Sequence, residues 1–113
     1  IAAGIDLLPT LADLTGVRVV STNALDGISL KPLLTSSATK NKTSWPDRMI
    51  FSNWRGRVSL RTQRFHLDRF GELFDMTVDP GQRHNVTEQH RQVAARLSKH
   101  RADNYCLFLG AAV

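Results

Sequence analysis

Cysteine is scarce in this sequence, with Cys106 as the one thiol among 113 residues. A single thiol excludes a disulfide within the chain and a cysteine-rich metal site. Long apolar runs are missing as well, because the tail over residues 106–113 is far shorter than the roughly 20 residues of a membrane-spanning helix. Residues 1–5 lack the charged region of a secretory signal. We therefore expect no disulfide framework and no membrane-spanning segment in this sequence.

Clusters of residues that carry chemistry are also missing. No two of the four histidines stand at metal-ligand spacing together with a third ligand. Asp13 and Asp26 are too far apart in the sequence to indicate a catalytic carboxylate pair, and no glycine-rich phosphate loop is present. Cys106 stands in an apolar tail, which favours an inert thiol over a nucleophile. The residues alone predict no catalytic residue and no metal ligand in this chain.

The composition is that of an ordinary globular protein, with 42% hydrophobic residues, 22% charged residues and a formal net charge of +5. The densest basic stretch lies over residues 55–69. One interpretation is a nucleic-acid surface, and the other is a strand face on which arginine alternates with core residues. No stacking aromatics or nucleic-acid motif accompany the arginines, so we favour the second and expect neither nucleic acid nor a membrane as a partner.

The N-terminal region predicts a short helix followed by loops. Asp6 is a good N-cap, the leucines over residues 7–14 share one face, and Gly16 suits the C′ position. The stretch over residues 35–45 is polar and predicts an exposed loop. It contains a glycosylation sequon at Asn41, which we interpret as a chance occurrence.

After this loop the hydrophobic period changes from helical to two. Four runs alternate in this way, over residues 48–52, 57–61, 64–68 and 72–76. The gaps between them are too short for parallel crossovers and permit only hairpins. We predict a four-stranded antiparallel meander with a buried face of Val58, Leu60, Phe65 and Leu67.

A turn and a helix follow the predicted sheet. In the turn over residues 79–81, Pro80 sets φ and Gly81 is expected to take a positive φ. A helix over about residues 88–102 is expected to be capped by Thr87 and to pack on the sheet through Val93, Ala94 and Leu97. Residues 104–113 form an apolar tail without an assignment.

Four segments resemble landmarks of the type I sulfatases, in the order in which those enzymes have them. Residues 5–16 resemble the family's helix "ID-x-x-PTL-x-x-L-x-G", and residues 25–34 resemble its segment "DG-x-SL-x-PLL". Residues 57–62 resemble a strand that ends in Arg-Thr, and residues 72–86 resemble "LYDL-x-x-DP-x-E-x-x-N". On these segments the sequence is identified as the C-terminal part of a type I sulfatase, in the alkaline-phosphatase-like superfamily.

The resemblance implies a parent enzyme with a formylglycine nucleophile and calcium. In the family, a Cys or Ser that heads Cys/Ser-x-Pro-x-Arg becomes the formylglycine, whose hydrated aldehyde attacks sulfur while the metal and cations stabilise the sulfate oxygens. Cys106 precedes Leu107, Phe108 and Leu109 and is not that residue. The family's calcium ligands precede the "PTL" helix. The resemblance thus implies no cofactor in this chain and places calcium and formylglycine in an N-terminal part.

The fold class implied by the resemblance is α/β. Residues 1–45 are expected to end the large sulfatase α/β domain, and residues 46–103 to form a C-terminal subdomain of antiparallel meander plus helix. The leucine face of the first helix would then pack on the central sheet of the parent. The expected partner is accordingly the N-terminal catalytic part of the same protein, with a periplasmic or extracellular location if the parent is bacterial.

The connection between the first two strands holds the expected substrate contacts, since in the family this subdomain lies beside the active-site mouth. Trp54 offers a flat apolar face for a sugar or aryl ring. Arg55 offers a fork of donors for a sulfate or carboxylate. The alternative, in which Trp54 packs on the sheet and Arg55 is solvated, stays open.

Three functions compete at this point. The first is the C-terminal portion of a sulfatase that acts on aryl sulfates or sulfated carbohydrates, itself without the catalytic centre. The second is a stand-alone basic module that binds anionic glycans or nucleic acid. The third is an inactive gene remnant, which differs from the first only in the coding sequence that lies upstream.

Overall fold

The structure is a computed structural model that describes residues 1–20, 23–35 and 45–108, with side chains described as far as residue 104. The chain divides into two compact units, residues 1–46 and residues 47–113. Most of the predicted loop with Asn41 and the last five residues of the predicted tail lie outside the described residues. Within the described ranges, no helix is both long and apolar enough to cross a membrane.

The first unit contains a 3-10 turn and two helices. The 3-10 turn, Gly4–Asp6, leads directly into helix α1, Leu7–Thr15, and helix α2, Lys31–Thr35, follows after a loop. Gly16 ends α1 at a φ of 72°. This left-handed conformation carries no Cβ penalty at glycine, so the helix ends where the sequence predicts.

Asp6 does not cap α1, and this corrects the prediction. Its own backbone is helical, and its fully buried carboxylate accepts hydrogen bonds from the N–H groups of Ala3 at 2.8 Å and Ile28 at 3.0 Å. The side chain therefore ties the start of the helix to the loop before α2. Gly27 permits this close approach, because a Cβ there would lie 2.0 Å from the carbonyl oxygen of Ile5.

Thr10 makes a second polar link between the same segments. Its buried hydroxyl donates to the carbonyl oxygen of Asp6 at 2.6 Å and accepts from the N–H of Leu30 at 2.9 Å. The leucines on the outer side of α1 stay 45% to 60% exposed; they are Leu7, Leu8, Leu11 and Leu14. Within this unit, α1 is therefore attached to the loop through buried polar groups rather than through its apolar face.

The second unit is a four-stranded antiparallel sheet with helix α3 packed on one face. The strands follow one another in the order β1-β2-β3-β4, which confirms the predicted meander. Their bounds are β1 Ile50–Trp54, β2 Arg57–Arg61, β3 Phe65–Leu67 and β4 Leu73–Asp75, and α3 is Arg91–Phe108. The helix thus continues past the predicted end at Ala102 and includes residues 104–108 of the predicted tail.

One apolar cluster joins the sheet to α3. Leu60, Leu67, Leu73 and Leu97 have no exposed surface, and each buried leucine contributes about 1.5–3 kcal/mol relative to an exposed one. Of the other predicted core residues, Val58 and Ala94 are buried, while Phe65 and Val93 are half-buried against the cluster. Leu73 is a core residue that the sequence analysis did not select.

The turn after β4 differs from the prediction in one residue. Gln82 rather than Gly81 has the positive φ, at 54°. The Gln82 N–H donates to the carbonyl oxygen of Asp79 at 3.1 Å, and the Asp79 carboxylate accepts from the N–H groups of Arg83 and His84, each at 2.7 Å. The last two bonds hold Gln82, the residue after the predicted turn, in the left-handed conformation.

The start of α3 also differs from the prediction, because Thr87 is not its N-cap. The helix begins at Arg91, after a turn in which the N–H groups of Gln89 and His90 donate to the carbonyl oxygen of Val86. The Thr87 hydroxyl instead accepts from the N–H of Leu73 at 2.9 Å. Thr87 therefore serves the edge of β4 rather than the end of the helix.

Asp75, the last residue of β4, is a buried carboxylate with a full set of donors. It accepts hydrogen bonds from Arg64 Nε at 2.8 Å, from the Thr77 hydroxyl at 2.6 Å and from the Thr77 N–H at 3.0 Å. The Arg64 hydrogen bond, followed by those of Thr77, holds the pKa of Asp75 well below its ordinary value of 3.8. The carboxylate is therefore charged in the folded protein at any pH near neutrality.

Replacing Leu67 by alanine is expected to destabilise the second unit by roughly 2–5 kcal/mol, because the truncation leaves a cavity at the centre of the cluster. Urea denaturation followed by circular dichroism measures the change. Val78→Ala is the matched control, since Val78 is 79% exposed and its truncation should change stability by less than about 0.5 kcal/mol. Equal effects of the two changes would contradict the assigned core.

Acid is expected to remove the stabilisation that comes from Asp75. A depressed folded-state pKa contributes stability above the unfolded-state pKa, and that contribution is lost as the pH falls toward the folded-state value. Asp75→Asn should therefore lower the free energy of unfolding at pH 7 and flatten its decline below about pH 4. Urea titrations at stepped pH measure both effects, with exposed Asp103→Asn as the control. An Asp75→Asn curve that runs parallel to the wild-type curve would contradict this assignment.

Candidate functional site

The predicted contact residues lie at the tip of the β1–β2 hairpin. Trp54 ends β1 and pairs with Arg57 of β2, so Arg55 and Gly56 form a two-residue turn. Both turn residues have a positive φ, at 51° and 76°. Such a pair indicates a type I′ turn, whose twist matches that of the flanking strands. The Asn53 side-chain oxygen accepts from the Gly56 N–H at 3.1 Å and reinforces the turn.

Trp54 and Arg55 lie next to each other on the surface of this hairpin. The indole is 70% exposed, and the Arg55 guanidinium carbon lies 5.5 Å from the ring centroid. A cation at this distance from an aromatic face is attracted by the ring quadrupole. The tip therefore presents one flat ring and one adjacent cation to whatever approaches it.

A hollow of about 360 Å³ lies along the outer face of the sheet beside Trp54. Phe70, from the β3–β4 connection, adds a second ring to its lining, and the cations are Arg57 and Arg69. His66 also lines the hollow, with its Nδ1 at 2.8 Å from the side-chain oxygen of Gln82. Aromatic faces and guanidinium groups are the side chains that stack on and hydrogen-bond to anionic sugars.

A larger cavity of about 500 Å³ lies between the β1–β2 turn, the β3–β4 connection and α3. It is lined by three arginines: Arg57 at the start of β2, Arg69 in the β3–β4 connection and Arg101 on α3. The motif search in the sequence missed this group, because its members are far apart along the chain. One signal for this group was available in the sequence. The hydrophobic period of the strands and of the helix places Arg57 and Arg101 at neighbouring ends of two elements.

The histidines do not gather into a metal site. His84 lies 3.4 Å from the Asp79 carboxylate, and His90 packs edge-on against Phe65 with ring centroids 5.1 Å apart. Among the residues that the structure describes, no three His, Cys, Asp or Glu side chains come together to hold a metal ion.

Asp13, considered above for a carboxylate pair, has a structural environment instead. The Ser29 hydroxyl donates to it at 2.7 Å and the Lys31 ammonium lies at 3.1 Å. The Ser29 hydrogen bond, followed by that of Lys31, lowers the pKa of Asp13. The carboxylate thus links α1 to the start of α2 and does not meet Asp26 in any described contact.

Arg61, from the Arg-Thr segment of the resemblance, lies on β2 and pairs with His66 of β3. Its Nη1 is buried and has no hydrogen-bond partner among the described residues. Burial lowers the pKa of this guanidinium.

One string with the family's formylglycine spacing was missed in the sequence. Residues 44–48 read Ser-Trp-Pro-Asp-Arg, which has the form Ser-x-Pro-x-Arg. Ser44 lies outside the described residues, and Trp45 donates through its indole N–H to the carbonyl oxygen of Ile1 at 3.2 Å. The string spans the boundary between the two units. The Cys106 side chain lies outside the described part of the chain, so its assignment as an inert thiol stays a prediction.

Comparison with known proteins gives a consistent set of relatives. No protein-family model matches the chain. The chain is 35% identical to a Delta 4,5-hexuronate-2-O-sulfatase from Bacteroides thetaiotaomicron. The alignment covers 89% of the chain and 23% of that protein.

Solved structures give the same picture. A crystal structure of a sulfatase from Bacteroides thetaiotaomicron superimposes with a TM-score of 0.55 and 33% identity, over 90% of this chain and 24% of that one. A 2-O GAG sulfatase superimposes with a TM-score of 0.54 and 32% identity, over 94% and 25%. The chain therefore spans about a quarter of the length of the relatives it matches, and it lies against their C-terminal parts.

Proposed function

We propose that the chain is the C-terminal portion of a sulfatase, an enzyme that hydrolyses sulfate esters. One observation carries the proposal: likeness to sulfatases in sequence and likeness to sulfatases in fold each cover about nine tenths of this chain. A stand-alone module would share the small sheet without the helix and loop of the first unit.

A sulfated carbohydrate is the substrate class that we favour over an aryl sulfate. Two relatives carry names that refer to 2-O-sulfated sugars, a hexuronate in one and a GAG in the other. The tip of the β1–β2 hairpin has suitable chemistry, because an exposed indole stacks on the apolar face of a sugar and a guanidinium pairs with a sulfate or carboxylate. Trp54 and Arg55 are the substrate-binding residues of this proposal.

The proposal assigns the chemical step to a part of the enzyme outside this chain. Formylglycine supplies the attacking oxygen, and calcium holds the sulfate oxygens, when both are present. The residues described here offer no set of metal ligands. What this chain supplies is a folded subdomain that positions Trp54 and Arg55, and a helix whose exposed leucines suit a larger sheet.

The 113-residue chain by itself is expected to have no sulfatase activity and no specific calcium binding. Purified chain, assayed with a chromogenic aryl sulfate and with a 2-O-sulfated disaccharide in the presence of calcium, should stay at background. Intact-mass spectrometry should show Ser44 unconverted, without the loss of two hydrogens that formylglycine formation requires. Turnover that survives repurification and disappears in Ser44→Ala would place the nucleophile in this chain and overturn the division proposed above.

In the complete sulfatase, Trp54→Ala and Arg55→Ala are expected to raise KM for sulfated saccharides about tenfold while kcat changes little. The reason is that both residues contact the substrate away from the charge that develops in the transition state. Steady-state kinetics on at least two sulfated substrates measure the effect. Val78→Ala and Arg91→Ala are the matched controls, since both residues are exposed and lie outside the hairpin. Unchanged KM with reduced stability alone would return Trp54 to a packing role.

A further inference from the structure

The arginine-lined cavity of the second unit has an uncompensated positive charge. Its lining consists of Arg57, Arg69 and Arg101 together with small or apolar groups such as Val58 and Phe70. None of the described residues that line it is acidic. Three guanidinium groups facing one concave volume of about 500 Å³ raise the local concentration of anions, and the low-dielectric wall strengthens that attraction.

The Asp68 carboxylate, which lines the neighbouring hollow, accepts hydrogen bonds within its own turn. One of its oxygens accepts the N–H groups of Phe70 and Glu72, each at 2.8 Å, and so closes the β3–β4 connection. These bonds direct the acidic side chain into its own turn. That oxygen therefore stabilises the loop on which Arg69 stands, and Asp68 lines the hollow beside Trp54 rather than the cavity.

Two of the three guanidinium groups are held in place by the protein. Arg101 Nη1 donates to the carbonyl oxygen of Asp68 at 2.6 Å, and a Cβ at Gly71 would lie 3.7 Å from its Nη2. Arg69 lies over the ring of Phe70, with its guanidinium carbon 4.4 Å from the centroid. Stacking of this kind leaves the in-plane N–H donors available, so little side-chain entropy is lost when an anion binds.

We propose that Arg57, Arg69 and Arg101 form a binding site for a sulfate or carboxylate group of an anionic saccharide. The guanidinium fork matches the geometry of both groups and accepts them bidentately. The neighbouring hollow beside Trp54 shares Arg57, Arg69 and Phe70 with the cavity. A sugar whose anionic group binds in the cavity can therefore extend along that hollow. The anion site itself rests on the cavity, whereas the saccharide as carrier rests on the proposed function.

The test is direct binding to the 113-residue chain, with three probes: inorganic sulfate, a heparin-derived tetrasaccharide and the same tetrasaccharide made neutral by desulfation, N-acetylation and carboxyl reduction. Calorimetry gives affinities, and ¹⁵N NMR of the arginine Nε–H groups reports where the probe lies. The charged tetrasaccharide is expected to bind, to shift the Nε–H signals of all three arginines and to weaken with added salt. Inorganic sulfate should shift the same signals at higher concentration, and the neutral saccharide should shift none.

Arg57→Gln and Arg69→Gln are the decisive variants, because neither side chain holds the backbone as Arg101 does. Each should weaken binding of the charged tetrasaccharide about tenfold, as expected for the loss of one charge-assisted pair. Arg91→Gln is the matched control, because Arg91 is exposed near the opposite end of α3 and contacts Glu88. That variant should bind within about twofold of the wild type, and unchanged amide spectra confirm that each variant is folded.

Wild-type affinity in Arg57→Gln and Arg69→Gln would overturn the site. Equal losses in the control would show general attraction of a polyanion and overturn it as well. A single-stranded oligonucleotide of the same charge that binds as tightly as the saccharide would overturn the saccharide assignment. None of these assays involves hydrolysis, so their failure leaves the proposed sulfatase function standing, and an inactive enzyme would leave the binding result unchanged.

Discussion

The contact between α3 and the inner face of the sheet is the interaction on which the second unit depends. Leu60 and Leu67, directly paired across β2 and β3, meet Leu97 of the helix, and Leu73 closes the cluster from β4. A sheet of strands this short has no stable existence in water without a covered face. This packing holds the strands together and so supports the hairpin that carries Trp54 and Arg55.

Polar contacts at the turns convert this core into a defined surface. Asp75 with Arg64 and Thr77 fixes the end of β4, while Asp68 folds the β3–β4 connection back onto its own N–H groups. Arg101 reaches from α3 to that same connection. The loops that carry Arg69 and Phe70 are therefore fixed from two sides, which is what a preorganised anion site requires.

The two motif segments of the first unit have a shared physical basis. Asp6 and Thr10 of the helix bind the N–H groups of Ile28 and Leu30, and Gly27 is the residue that lets the two backbones approach. The sequence analysis recognised both segments but interpreted Asp6 as a cap. Local capping rules consider only the neighbours of a residue in sequence. Ala3 is such a neighbour, but the second donor to the Asp6 carboxylate, Ile28, is 22 residues away.

The antiparallel meander, the helix that covers it and the end of α1 at Gly16 were all predictable from the sequence, because they depend on hydrophobic period, gap length and the conformational freedom of glycine. The folded structure was needed to show that Thr87 binds the edge of β4 and that three arginines share one cavity. Those outcomes depend on hydrogen bonds and distances between residues far apart along the chain, and no local pattern encodes them. Trp54 and Arg55 stand between the two cases, since the short gap predicts the turn and the folded hairpin decides how ring and cation lie together.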